Sequence, residues 1–275
     1  MAVLLSLLSA CAYGVSDFLG GIFARRSTAW QVATTGQASS TLCITLAALV
    51  VAGAPVGTDF AWGALAGTGS GLGAAFLYRG LAGATMSVVA PISAVGCALL
   101  PVLAGLALGE RPTPTAAVGI VLAFPAIALI SFVRDPDPGH RGGVLDGVLA
   151  GVGFGLMFIA LGRTTDDAGL APLALMYLCS TVSVVAVATL LRQRWRPRVA
   201  ADWRGAVMGP IGVTAVIAFY LATKHGLLSI VAVITALYPA STVLLAAALL
   251  KERVAPWQSL GLVVAALAVG LVAWG

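Results

Sequence analysis

Charged residues are scarce in this sequence, and their scarcity excludes most classes of soluble protein. Only 9% of the 275 residues are charged and 60% are hydrophobic, which gives a mean hydropathy of +1.04. Soluble domains typically contain about 25% charged and about 45–50% apolar residues. The composition therefore predicts a protein that is embedded in a membrane.

The residue patterns of common catalytic, metal and nucleic-acid sites are also missing from the sequence. The two histidines, His140 and His225, lie in or beside predicted loops, and neither belongs to an HExxH motif. No two cysteines have CxxC spacing, no P-loop occurs, and the acidic residues are scattered. Basic residues lie between apolar runs and are not interleaved with aromatics. We therefore expect no enzyme activity, metal, cofactor or nucleic-acid partner, with a membrane-bound enzyme or a channel as remote alternatives.

What the sequence does contain is a series of apolar runs, each near 20 residues long. They occupy residues 2–23, 30–52, 60–79, 85–108, 113–132, 144–162, 170–191, 203–223, 228–250 and 256–274. A run of about 20 apolar residues can cross a bilayer as a helix, whereas a barrel strand shows about ten residues of alternating character. The sequence therefore predicts ten transmembrane helices. We expect the first to be a span and not a removed signal peptide, because no basic segment precedes it.

The second half of the sequence repeats the first half. Residues 78–131 align without a gap with residues 220–273, and 18 of the 54 paired positions are identical. Because each half has an odd number of predicted spans, the second copy would enter the membrane in the opposite orientation. Inverted repeats are common in secondary transporters, where substrate binds between the halves near the middle of the membrane.

A Glu-Arg pair follows the fourth span at residues 110–111 and the ninth span at residues 252–253. Each pair precedes a helix with a proline near its start, Pro114 or Pro256, where the missing N–H costs little. We interpret both pairs as structural turns. The glutamate would pair with a neighbouring base or face the start of the next helix.

These features together resemble the EamA-type family of the drug/metabolite transporter superfamily. The resemblance rests on the two five-span halves, on their Glu-Arg turns, and on the stretches YRGLAGATMSVVAPISAV and LSIVAVITALYPASTVLLAAALLKER. It implies an all-α integral membrane protein with ten transmembrane helices in two inverted five-helix repeats around a central cavity. The first EamA-like repeat would span residues 1–133, a linker 134–143, and the second repeat 144–275.

The resemblance implies a secondary transporter that moves small metabolites or drugs by alternating access. We expect amino-acid-like or amphipathic solutes and proton-coupled or exchange-driven efflux, with uptake of a sugar or another polar metabolite as the alternative. The expected partners are the small-molecule substrate, the lipid bilayer, and a proton or a counter-substrate. The expected location is the bacterial inner (plasma) membrane, which the chain would cross many times.

The distribution of Lys and Arg among the loops predicts the orientation in the membrane. Loops after the odd-numbered spans contain 12 of these residues, and loops after the even-numbered spans contain 3. Positively charged loops usually stay in the cytoplasm. The count therefore places both termini on the opposite side of the membrane.

Asp17 is the main candidate for a transport residue, because a carboxylate inside a membrane span is costly and marks function. It shares one helical face of the first span with Tyr13 and Ser16. In a cavity, Asp17 could bind a substrate amine or a coupling proton. Alternatively, it could be an interfacial carboxylate that pairs with Arg25 or Arg26.

Two interrupted helices provide a second group of candidates. Pro91 lies within the fourth span and Pro239 within the ninth, and a proline removes a backbone hydrogen bond from a helix. Interrupted helices at corresponding positions of two halves indicate a transporter site. The hydroxyls of Ser93, Thr235 and Tyr238 could bind polar groups of a substrate, unless the kinks serve only packing.

Aromatic residues complete the candidate substrate site. Tyr78 and Tyr220 occupy matching positions, where they could gate a cavity or anchor their helices at the membrane interface. Phe154 and Phe158 lie one turn apart in the sixth span. They could stack on an apolar or aromatic substrate, or pack in the core.

Glycines repeat every four positions in the third and sixth spans. Gly63, Gly67 and Gly71 mark the first face, and the glycines at 147, 151 and 155 mark the second. Faces of this kind let helices approach closely in membranes. We expect both faces to be packing surfaces.

Overall fold

The computed structural model describes residues 1–83, 86–132 and 143–275, and within these ranges every regular element is a helix. The helices are α1 (Ala2–Ala24), α2 (Ala29–Val50), α3 (Gly57–Gly83), α4 (Met86–Ala107), α5 (Pro114–Ser131), α6 (Val144–Gly162), α7 (Ala171–Leu190), α8 (Met208–Thr223), α9 (Leu228–Thr235), α10 (Tyr238–Leu250) and α11 (Pro256–Trp274), with a 3-10 helix (Ala200–Val207) directly before α8. The expected linker, 134–143, lies outside the described residues except for Gly143.

Each of the ten predicted spans coincides with a helix or with two consecutive helices. In the part of the chain that the structure describes, nine of these segments are long and apolar enough to cross a membrane. The tenth, α2, has the length but carries many Gln, Ser and Thr residues. The chain is therefore an all-helical, multi-pass membrane protein.

The ninth predicted span is divided near its middle. α9 ends at Thr235 and α10 begins directly before Pro239. Proline has no N–H to donate to the carbonyl four residues earlier, here that of Thr235, and its ring crowds that carbonyl. In contrast, α4 continues through Pro91 and Pro101, as membrane helices do when neighbouring groups satisfy the freed carbonyls. The expectation of an interruption at matching positions of both halves is therefore wrong for α4.

The first helix of each half packs against the other half. α1 contacts α8, α9 and α10, whereas α6 contacts α3 and α4. Elsewhere α2 packs on α7 and α5 packs on α11. The two halves are therefore interlocked, and the space between them is lined from both.

The predicted glycine face of α3 lies directly against α7. A Cβ added at Gly63 would collide with the carbonyl of Pro172, and one added at Gly67 would collide with the carbonyl of Met176. The glycine face of α6 packs on α4 in the same way, with Gly151 against Gly96. The prediction that both faces are packing surfaces is confirmed.

We predict that Gly67→Ala lowers the unfolding temperature in detergent, because the added methyl group must push apart two helix backbones. Overpacking of this kind typically costs about 1–3 kcal/mol. Gly270→Ala in α11 is the matched control, since a Cβ there meets no atom within 4 Å. Equal unfolding temperatures for the two variants would show that α3 and α7 are not in close contact.

Helices in the second half begin at a constant distance along the chain from those in the first. α1, α2, α4 and α5 begin 142 residues before α6, α7, α9 and α11, respectively. The same offset relates Gly109, with φ of 95°, to Lys251, with φ of 56°. Such φ values cost little only at glycine. Their recurrence at a lysine shows that the turn after α4 is repeated after α10.

The helices are joined at two ends of the bundle. The N-terminal end contains the start of α1 and residues 54–59, 164–167 and 224–228, and here the N–H of Ala54 donates to the carbonyl of Asp167 at 2.8 Å. The arginine end contains residues 25–28, 192–202 and 251–253.

A buried aspartate, Asp59, fastens the loops at the N-terminal end. It lies in the first turn of α3 and has no exposed surface. Its carboxylate accepts hydrogen bonds from the N–H of Val56 at 2.9 Å and from the N–H and hydroxyl of Thr165 at 2.7 and 2.8 Å. The start of α3 is thereby tied to the loop between α6 and α7.

Asp202 does the same at the arginine end. Its carboxylate accepts from the Ser27 hydroxyl at 2.9 Å, the Gln31 amide at 3.1 Å, and the N–H groups of Arg198 and Val199 at 2.8 and 3.2 Å. The two aspartates occupy the same local pattern, Val-x-x-Asp, in which the carboxylate caps its own helix. Both ends are therefore fastened by equivalent contacts.

We predict that Asp59→Asn and Asp202→Asn each lower the unfolding temperature by several degrees. An Asn side chain replaces one acceptor oxygen with an NH2 group, which leaves buried donors facing another donor. Asp166→Asn is the control, because the side chain of Asp166 is 85% exposed. Variants that all unfold at the wild-type temperature would contradict this account of the two aspartates.

Candidate functional site

A cavity of about 170 Å³ lies between the two halves of the described structure. Side chains from α1, α2, α3 and α4 line it from one half, and side chains from α6, α7, α8 and α10 line it from the other. Clefts that collect residues from many helices of a bundle are the usual location of small-molecule sites. This cavity is therefore the candidate site.

Seven of the ten residues that the sequence nominated line this cavity. They are Tyr13, Ser16, Asp17, Tyr78, Phe154, Phe158 and Tyr238. The remaining three, Ser93, Tyr220 and Thr235, lie in the packed interior outside it, with exposures of 2%, 2% and 0%. Among the described residues, the hydroxyls of these three have no hydrogen-bond partner.

Several lining residues were not singled out from the sequence. Gln37 and Ser40 line the cavity from α2, Ser70 from α3, and Tyr177 from α7. On α2, a spacing of three and seven from the lining residue Ala33 would have identified Gly36 and Ser40 as one face. The polar residues chosen from the sequence lie on another face, where Thr41 hydrogen-bonds to Thr181 of α7 at 3.0 Å.

Asp17 is the single charged residue in the lining of this cavity. Its side chain is exposed although it lies well inside α1, so its accessible surface faces the cavity. Among the described residues, Asp17 forms no ion pair, and Arg25 lies instead 3.4 Å from Glu252. The carboxylate is therefore available to a solute.

Aromatic side chains surround the position of Asp17. The ring of Tyr13 lies 6.2 Å from that of Tyr238 and 6.4 Å from that of Phe158, centre to centre. Phe158 is in turn held by stacking on Phe219 at 4.2 Å. Aromatic faces attract cations, and their area binds apolar groups. The combination suits a solute that has both a cationic and an apolar part.

The cavity opens toward the arginine end of the bundle. Asp17 is exposed and Tyr78 is half-buried, and both lie in the halves of their helices nearer that end. The lining residues Met176, Tyr177 and Val216, which lie deeper, are buried. Access therefore decreases from the arginine end toward the middle of the bundle.

The two parts of the divided ninth span differ in their packing. Every residue of α9 is buried except Ile230. No residue of α10 is buried. α9 starts at the N-terminal end and α10 ends at the arginine end, so this span is tightly packed only at the end that is closed.

Lys224 adds a polar contact at the closed N-terminal end. Its amine donates to the carbonyl of Thr164 and lies 3.2 Å from the hydroxyl of the same residue. Burial lowers the pKa of Lys224 below its usual value, while the carboxylates of Asp166 and Asp59 act in the opposite direction. The amine thus joins the end of α8 to the loop between α6 and α7.

Glu110 makes a contact that joins the two halves at this end. Its carboxylate accepts hydrogen bonds from the N–H groups of Leu228, at 2.6 Å, and Ser229, at 2.9 Å. The glutamate thus caps α9, not the next helix, α5, as the sequence suggested. The matching Glu252 is exposed and lies beside Arg25.

We predict that a cysteine at position 17 reacts with a charged, water-soluble methanethiosulfonate reagent. The native Cys11 should react at least tenfold more slowly, although both positions are exposed. Cys11 follows the exposed Leu4 and Leu8 on the outer face of α1, where a thiol in contact with lipid stays protonated and unreactive.

The measurement uses two proteins, Asp17→Cys without native cysteines and a protein that retains only Cys11. Labelling rates are compared in liposomes at one pH. Similar rates at the two positions would show that the surface around Asp17 is not open to water.

Comparison with known proteins adds a family to this geometry. Residues 141–274 match the sequence model of the family described as "EamA-like transporter family". A solved crystal structure, described only as that of a protein, has 18% identity and a TM-score of 0.74, over 99% of this chain and 95% of that chain. At that identity the likeness shows the fold alone. Comparison with curated proteins finds no match.

The helical bundle and the matched region together define a multi-pass membrane protein of a transporter class. Through residues 141–274 the chain belongs to the EamA-like transporter family, within the drug/metabolite transporter superfamily. A transporter of this class acts on a small-molecule substrate within the lipid bilayer.

Proposed function

We propose that the protein is a secondary transporter for small amphipathic solutes with a positively charged group, such as amino-acid-like compounds. The observation that carries this proposal is the cavity between the halves, with Asp17 as its single charged lining residue. An ammonium group would bind the Asp17 carboxylate, and the apolar part would lie among Tyr13, Phe158 and Tyr238. All ten residues nominated from the sequence remain candidates for substrate contact.

We further propose that the halves, 1–133 and 144–275, are inverted repeats. The constant offset between helix starts and the repeated left-handed turn support this. Five crossings in each half would give the two copies opposite orientations. A symmetric pair of halves can exchange conformations, which opens the site first to one side of the membrane and then to the other.

The described conformation corresponds to one of these two states. Its cavity opens toward the arginine end, which the charge distribution assigns to the cytoplasm. A site that is open to the cytoplasm can take up a solute for export. The arrangement therefore favours efflux across the inner membrane.

Asp17 also supplies a route to proton coupling. A carboxylate that binds either a proton or an ammonium group cannot hold both, so the two cations compete for one site. If the empty carboxylate does not cross the membrane unneutralised, one cation moves outward for each one that moves inward. The result is exchange of the solute for a proton or for a second solute molecule.

Uptake of a sugar or another polar metabolite is the second candidate function. It is favoured by a different part of the lining, the amide of Gln37 and the hydroxyls of Ser40 and Ser70. These groups can hydrogen-bond to an uncharged solute without involving Asp17.

We predict that Asp17→Asn abolishes uptake driven by a pH gradient in proteoliposomes loaded with labelled amino acids. The amide cannot bind a proton, so the gradient no longer drives the solute. Sugars are tested in parallel, with and without the gradient, and counterflow is measured in each case.

Asp166→Asn is the control, because this exposed carboxylate lies at the N-terminal end, outside the cavity. It should transport as the wild type does. Unchanged pH dependence in Asp17→Asn would remove the proton role, and sugar counterflow that is insensitive to Asp17→Asn would favour the second function. If no solute moves down any gradient, the transporter proposal fails.

A further inference from the structure

The two halves of the chain make the same contacts at their ends with one exception. Asp59 and Asp202 are both buried and both cap the start of their own helix. Contacts that are equal at an open end and at a closed end cannot decide which end is open. The feature that differs between the ends is the pair Glu110 and Glu252.

Glu110 is engaged with the opposite half at the closed N-terminal end. Its two oxygens accept from the first two N–H groups of α9, Leu228 and Ser229. The first N–H groups of a helix lack partners within the helix and carry partial positive charge, so a carboxylate there is stabilising. This contact fixes the start of α9, the helix that is almost completely buried.

Glu252 is released from any comparable contact at the open arginine end. Its side chain is 54% exposed, and its oxygen lies 3.4 Å from a nitrogen of Arg25, itself 65% exposed. Exposed ion pairs of this kind contribute little to stability. At the repeat offset of 142 residues, the position that corresponds to Leu228 is Met86, the first residue of α4.

The residue beside each glutamate also differs. A Cβ at Gly105 would collide with the Glu110 carboxylate, so glycine at this position allows the carboxylate to occupy the cap. The matching position in the second half is Ala247. The first half is therefore built to hold its glutamate more closely than the second.

We propose that Glu110 is the latch that holds the N-terminal end closed, and that Glu252 takes the corresponding position at the start of α4 when the arginine end closes. The proposal rests on the inverted repeats and alternating access proposed above. In one state Glu110 caps α9 and Glu252 is free, and in the other state the roles are exchanged. Glu110 thus acts on access to the cavity without contacting the solute.

The test measures access at both ends in one protein without native cysteines. Tyr220→Cys reports the N-terminal end, where Tyr220 is buried and lies under Lys224. Tyr78→Cys reports the arginine end, where the matching tyrosine lines the open cavity. A charged, impermeant thiol reagent is applied from each side of sealed vesicles, and the labelling rates are measured.

Glu110→Gln should increase labelling at position 220 about five- to tenfold and decrease labelling at position 78, because removal of a helix cap shifts the balance between states. Glu252→Gln is the matched control and should not increase labelling at position 220. Opposite changes at the two reporters exclude misfolding, which would increase labelling at both. An increase at both reporters, or no change at either, would overturn the latch.

A reciprocal pair of substitutions tests the latch while both carboxylates remain. Gly105→Ala should displace the Glu110 carboxylate and reproduce the effect of Glu110→Gln at position 220. Ala247→Gly should make room for Glu252 and reduce labelling at position 78. The latch is contradicted if Gly105→Ala leaves labelling at position 220 unchanged.

Labelling requires no transported solute, so the latch and the proposed function can fail separately. Opposite changes at the two reporters without counterflow of any solute would support the latch and contradict the transporter. Counterflow with reporters that do not respond to Glu110→Gln would support the transporter and contradict the latch.

Discussion

Satisfying backbone polar groups without water is the constraint on which this structure depends. Inside a bilayer an unpaired N–H or C=O costs several kcal/mol, so the chain crosses as helices and must find partners wherever a helix begins or breaks. Asp59, Asp202 and Glu110 each meet this need at a helix start with a carboxylate. The loops are thereby drawn together, and the ends of the bundle take their shape from these contacts.

The same constraint explains where the cavity lies. The break at Pro239 leaves a carbonyl without its usual helical partner, and α10 beyond it packs loosely. Tyr238, at this break, faces Tyr13 across the cavity. An interrupted helix is therefore both the least densely packed part of the bundle and one wall of the site.

Much of the fold could be predicted from the sequence because its determinants are local. Apolar runs of the right length, the glycines of α3 and the position of Asp17 each depend on neighbours in the sequence. The contact between Glu110 and Leu228 does not, because these residues are 118 positions apart in different halves. Likewise Ser93 and Pro91 look like their counterparts near Pro239, but α4 stays continuous because its surroundings differ. Tyr220 and Thr235 were nominated by symmetry, yet they lie inside packing that the matching Tyr78 lacks.

The glycine contact between α3 and α7 has a consequence for the speed of any rearrangement. Where backbone meets backbone, as at Gly67 and Met176, no side-chain rotamers have to change when one helix shifts along the other. A surface of this kind offers little frictional resistance to sliding along its length. The activation barrier of such a movement is then concentrated in the few hydrogen bonds at the ends of the bundle, and its rate depends on how quickly those bonds break.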